Sequence, residues 1–200
     1  MGSLSDIDRQ RIEQLQSLLR EDLDILYEIN RKQTVENRPL EGRQLRQQAE
    51  QVRQNYKHHR EEYADLLRKE IPTRFAPGEQ ALIHMVVQRL TSDQLDLTRT
   101  ALQEVDRDPN TPEFTQLVAA VVAALPDVQQ QLVAENMAAA NHLAQVAPVI
   151  QAPTADIKQK LKLSIPLIPF LLSFETELNL NIAANLTAAW ERLKERFHPQ

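Results

Sequence analysis

At 200 residues, with 42% hydrophobic and 26% charged side chains, the chain has the composition of an ordinary soluble domain or of two small ones. Its three glycines, Gly2, Gly42 and Gly78, exclude a glycine-rich phosphate loop, and the absence of cysteine excludes thiol catalysis, disulfides and thiolate metal sites. The formal charge of −5 sits in the middle, where residues 76–156 carry 3 basic against 10 acidic side chains, so no basic stripe is present there to neutralise a nucleic-acid backbone.

Residues 5–70 predict two long helices joined near Thr34 to Pro39. Ile12, Leu15, Leu19, Leu26 and Ile29 follow the 3-4 spacing of a heptad seam, with Asp22 at one seam position; Leu45, Ala49, Val52, Tyr56, His59, Tyr63 and Leu66 continue it in the second helix. Asn37 is a candidate cap for that helix and Pro39 falls in its first turn. An antiparallel helical hairpin is expected, and its mixed seam calls for a third packing element.

Residues 75–150 predict a bundle of short helices over about Pro77 to Leu90, Ser92 to Val105, Pro112 to Leu125 and Asp127 to Ala147. Thr91 with Gln94 forms a capping box, Thr111, Pro112 and Glu113 give a cap, a first-turn proline and a first-turn acid, and Pro126 is expected to break the helix before it. That helix, with Leu117, Val118, Val121, Val122 and Leu125, is apolar nearly all round, as a bundle centre should be.

Residues 158–198 predict a β-hairpin followed by an amphipathic helix. Leu161, Leu163, Ile165 and Leu167 alternate with Lys160, Lys162 and Ser164; after a turn at Ile168 to Leu171 the alternation resumes with Leu172, Phe174, Thr176, Leu178, Leu180 and Ile182. In the register that puts Pro169 at the second turn position, Ile165 faces Phe174 and Lys162 meets Glu177. The turn Ile168-Pro169-Phe170-Leu171 is apolar where a solvated turn carries Asn, Asp or Gly. It therefore seeks a surface: the chain's own helices, another protein or copy, or a membrane. The final helix, capped by Asn185, carries Leu186, Trp190, Leu193 and Phe197 on one stripe, with Trp190 expected on the hairpin's apolar face.

Residues suited to chemistry give no foothold for catalysis. Asp106 to Asn110 imitates the opening of a calcium loop, but Thr111 stands where glycine is needed and Leu117 where the closing glutamate would be. His58 and His59 are adjacent and diverge on a helix, His84 and His142 stand singly, and Glu21 to Asp24 reads as a solvated face. No catalytic residue, cofactor or metal is expected. With no charged-then-apolar leader, and with the longest apolar run, Leu117 to Leu125, far short of the roughly 20 residues that span a bilayer, a soluble cytoplasmic chain is expected.

The segment from Lys160 to Leu178, KLKLSIPLIPFLLSFETEL, with Leu186 to Leu193 after it, resembles a C-terminal segment of multidomain bacterial signalling and conflict proteins, notably cyanobacterial ones. Those proteins join helical effector-associated modules to NTPase or caspase-like effectors, and residues 26–67 are similar in style to such modules. The resemblance implies a non-catalytic adaptor recruited to an effector or sensor in bacterial defence or signalling, while the apolar hairpin tip adds self-association as the other expected partnership. No active site is carried over, because the effector domains are absent from this chain. The expected fold is mainly α, with the β-hairpin as its interaction element: Lys162, Ile165, Leu167, Ile168, Phe170, Leu172, Phe174, Glu177 and Trp190. The alternative is a membrane-acting effector that inserts the hairpin tip.

Overall fold

A computed structural model describes residues 5–35, 39–135, 137–152, 155–172 and 180–197. Among the described residues the chain forms eight helices and no strand: α1 Asp6–Val35, α2 Pro39–Thr73, α3 Pro77–Arg89, α4 Ser92–Arg107, α5 Pro112–Glu135, α6 Met137–Gln151, α7 Ile157–Leu172 and α8 Leu180–Phe197. They divide into two compact units, residues 1–67 and 68–200.

The first unit is a helical hairpin. Ser5 opens α1 by accepting from the Asp8 amide at 3.1 Å, while the Asp8 carboxylate accepts from the Ser5 amide and hydroxyl, a reciprocal cap that satisfies orphan donors of the first turn. Three cross-links set the register: Arg11 to Glu62, Gln16 to Tyr63 and Asp22 to His59. From Arg11 beside Glu62, through Asp22 beside His59, to Ile29 and Val52 in one groove lining, the α2 partner number falls as the α1 number rises, which is the signature of antiparallel helices. Ile12, Leu15, Ile29, Ala49, Tyr63 and Leu66 are buried along the seam, as the heptad spacing predicts; Leu19, Leu26, Leu45, Val52 and Tyr56 are half-buried.

The second unit is built around α7. Helices α3, α4, α5, α6 and α8 all pack against it, and every residue from Leu163 to Leu171 is buried. A helix enclosed on all sides must be apolar on all sides. Its first turn is fastened by Asp156, whose side chain accepts from the Lys158 amide at 3.2 Å. The predicted β-hairpin is therefore overturned. The supposed first strand, Leu161 to Leu167, and the supposed turn, Ile168 to Leu171, are consecutive turns of one helix. Most of the second strand, residues 173–179, lies outside the described residues, and Leu180 and Ile182 fall in α8.

The physical reason is that a fully buried apolar run carries no usable period, so an alternation of leucines with lysines and serine fits a strand and a buried helix equally. Pro166 and Pro169 lie inside α7, where their rings remove the amides that would bond the Lys162 and Ile165 carbonyls. Packing by five neighbouring helices holds the helix together through both.

Pro126 also lies inside a helix, α5, rather than ending one; it is exposed, so its ring points away from the core. The capping box of α4 forms as expected, with Gln94 N to Thr91 Oγ1 at 3.3 Å and Thr91 N to Gln94 Oε1 at 2.9 Å. Thr111 precedes Pro112 at the start of α5, yet its buried hydroxyl finds no hydrogen-bond partner among the described residues.

Candidate interaction surface

The residues expected to form an apolar docking tip are core residues of the second unit. Ile165, Leu167 and Ile168 are wholly buried, Phe170 and Trp190 nearly so, and Leu172 is half-buried at the end of α7. Phe170 stacks beneath the Arg89 guanidinium, 5.8 Å from its ring centre. Lys162 pairs with Asp106 at 2.8 Å, not with Glu177; Phe174 and Glu177 lie outside the described residues. The structure thus gathers most of these residues, but inside the unit. Without the hairpin, the membrane-acting alternative loses its inserting element, and among the described residues no helix is long and apolar enough to cross a membrane.

Two polar clusters stabilise this unit. Glu70, buried, receives Arg74 at 2.5 Å and Arg99 at 2.8 Å, so two guanidiniums share one carboxylate. Asp106, at the end of α4, receives Lys158 at 3.1 Å and Lys162 at 2.8 Å, one helical turn apart on α7. Burial pushes the Asp106 carboxyl up, but the hydrogen bonds and charges of Lys162 and Lys158 together outweigh it and hold the group below its ordinary value. Both clusters are paired networks that fasten helices. Among the described residues, no group of three or more His, Asp or Glu side chains is arranged to hold a metal ion.

Val133 and Met137 are exposed in the second unit, but most of the exposed large apolar side chains among the described residues lie in the first. Ile7, Leu23, Ile25 and Tyr27 of α1 are 77%, 50%, 40% and 69% exposed. On a 3.6-residue wheel Ile7, Leu18 and Ile25 fall to one side of the buried seam, and Leu23 and Tyr27 to the other. The apolar arc of α1 then covers about 200° at roughly 100° per residue. Within this unit α1 has one helical neighbour, α2, and one neighbour covers a single stripe of roughly half that width. Both flanks are left open.

The flanks differ in character. On the Ile25 side the two helices form a shallow, open groove of about 640 Å³, with Ile25, Ile29 and Val52 in its lining. The α2 wall is uncharged amide, Gln48, Gln51 and Asn55, and the α1 wall carries Asp24 and Glu28 beside Lys32. On the Leu23 and Tyr27 side, the wheel places Arg46 and Arg53 of α2, both exposed, opposite in phase to Gln51. Pairs within single helices, Glu28 with Arg31 at 3.7 Å and Arg53 with Glu50 at 3.6 Å, are exposed and hold these charges only weakly.

Sequence reasoning did not single out this surface because it scored α1 for its seam alone. The signal was present in Leu18, Leu23, Ile25 and Tyr27, which widen the stripe beyond what one neighbour can cover. Comparison of the chain with models of known families, with curated proteins and with solved structures finds no match in any of the three.

Proposed function

We propose that this chain is a non-catalytic assembly protein of the cytoplasm, whose first unit engages a protein partner while the second supplies a stable body. The observation that carries the reading is the width of the α1 apolar arc against the single helix that packs on it in that unit, with Tyr27 69% exposed. Large aromatic side chains in an exposed apolar patch are where interface energy concentrates. The lack of cysteine fits a reducing compartment. The setting, bacterial defence or signalling, rests only on the resemblance of residues 160–178 and 186–193 and on the similar style of residues 26–67.

The test is site-specific photo-crosslinking in cells with an aromatic photoreactive residue in place of Tyr27 in the full chain. Discrete higher-mass adducts are expected from position 27, and none from the exposed Gln130 of α5 used as a control. Absence of any intermolecular adduct at position 27, in a chain that retains its helicity, would overturn the reading.

A further inference from the structure

Resting on that reading, the geometry points to the partner: a second copy of this chain, docked flank to flank, with Tyr27 and Leu23 of one copy entering the Ile25 groove of the next. Three features match. The groove, at about 640 Å³, has room for both side chains, and its lining offers them Ile25, Ile29 and Val52. A buried tyrosine hydroxyl needs a polar partner, which Gln48, Gln51 and Asn55 supply without charge. Asp24 and Glu28 outweigh Lys32 in the groove lining and leave it net acidic, whereas Arg46 and Arg53 accompany Leu23 and Tyr27, so each flank carries the charge that complements the other.

The two patches are different and lie on opposite sides of a two-helix ribbon. A contact between unlike patches is heterologous, and each added copy presents a fresh groove or a fresh Tyr27 flank. The first unit therefore stacks side by side into an open-ended array instead of closing into a symmetric dimer.

The experiment is light scattering of the purified full chain over a wide concentration range, with two variants that each block one flank: Ile25→Arg for the groove and Tyr27→Asp for the other side. Both positions are exposed, and far-UV circular dichroism checks that helicity is retained. The wild-type mass is expected to rise with concentration without a plateau and to fall when salt is raised to half-molar, as screening weakens the rim pairs. Each variant alone stays a monomer, and an equimolar mixture gives a dimer, because one intact interface survives between unlike variants. A second pair, Asp24→Lys with Glu28→Lys and Arg46→Glu with Arg53→Glu, tests charge alone: each variant repels its own copies and stays a monomer, whereas in the mixture both unlike contacts are complementary and the mass grows with concentration as in the wild type.

A wild-type mass that plateaus at two, a mixture no heavier than its components, or variants that assemble like the wild type would overturn the proposal. A wild-type monomer at every concentration would also overturn it. In that case adducts with another protein at position 27 would leave the interaction reading standing, whereas their absence would remove both.

Discussion

Helices α1 and α7 make opposite use of excess apolar surface. α7 is almost wholly apolar after its first turns and is enclosed by five helices, so nothing of it between Leu163 and Leu171 is offered to a partner. α1 is mostly polar, yet its apolar arc is twice the stripe that α2 covers within their unit, and it leaves Leu23 and Tyr27 at least half-exposed. A strongly hydrophobic helix is therefore enclosed within the second unit, and a far more polar one presents exposed apolar side chains. Total hydrophobicity says how much must be covered; only the count of neighbours says what is left over.

The sharpest test of this contrast is a pair of truncations. Phe170→Ala should cost about 3–5 kcal/mol of unfolding free energy, because the ring is buried among close-packed neighbours that relax only partly around the cavity. Tyr27→Ala should change the unfolding free energy of the isolated chain by less than about 0.5 kcal/mol, being a surface substitution, while weakening association. Urea unfolding at low protein concentration, followed by circular dichroism, reads the first effect, and light scattering reads the second. Equal losses of stability at the two sites would erase the distinction between enclosed and offered surface.

The two helices were also unequally legible. In α1 and α2 the heptad spacing identified Ile12, Leu15, Ile29, Ala49 and Tyr63 as seam, because a helix with one covered stripe shows its period in the sequence. Prolines at first-turn positions, Pro77 and Pro112, marked the starts of α3 and α5 for the same local reason. In α7 every residue from Ile165 to Leu172 is apolar, so that stretch shows no helical period, and Pro169 after an alternation of lysine and leucine suggested a turn between strands. The discriminating signal was Asp156, a helix cap placed just before the apolar run. Five helices around one core settle what the segment becomes, and that information is not local.

A medium effect is expected in the α1 seam. Asp22 is 8% exposed and bonded to His59 at 2.8 Å in a stripe otherwise apolar or aromatic. Removing one partner leaves the other buried without its bond, so Asp22→Ala or His59→Ala should each cost about 1–3 kcal/mol. Replacing both with leucine should be neutral or stabilising by about 1–4 kcal/mol, because the desolvation of the polar pair disappears. A double-mutant cycle read by urea unfolding checks the pattern. If the double leucine variant is less stable than either single variant, the hairpin depends on its polar link more than on its apolar seam.

The smallest effect tests whether packing or a tether retains α7. Asp106 joins Lys158 and Lys162 to the end of α4, and its carboxyl is held below the ordinary value, about 3.9 when unfolded. A depressed folded value means that the stabilisation is complete above the unfolded value and is lost as pH falls through the folded one. The stability difference between wild type and Asp106→Asn should thus be constant from pH 5 to 7, shrink below about pH 4 and then vanish. Because the Asp106 side chain is 39% exposed, that difference should stay below about 1 kcal/mol. Amide exchange of α7 in Asp106→Asn should remain as slow as in the wild type, since five packed helices outlast one shared carboxylate. Exchange in α7 as fast as that of the partly covered α1 would mean that its enclosure depends on the charge at its first turn, and the contrast between the two helices would then be one of fastening instead of packing.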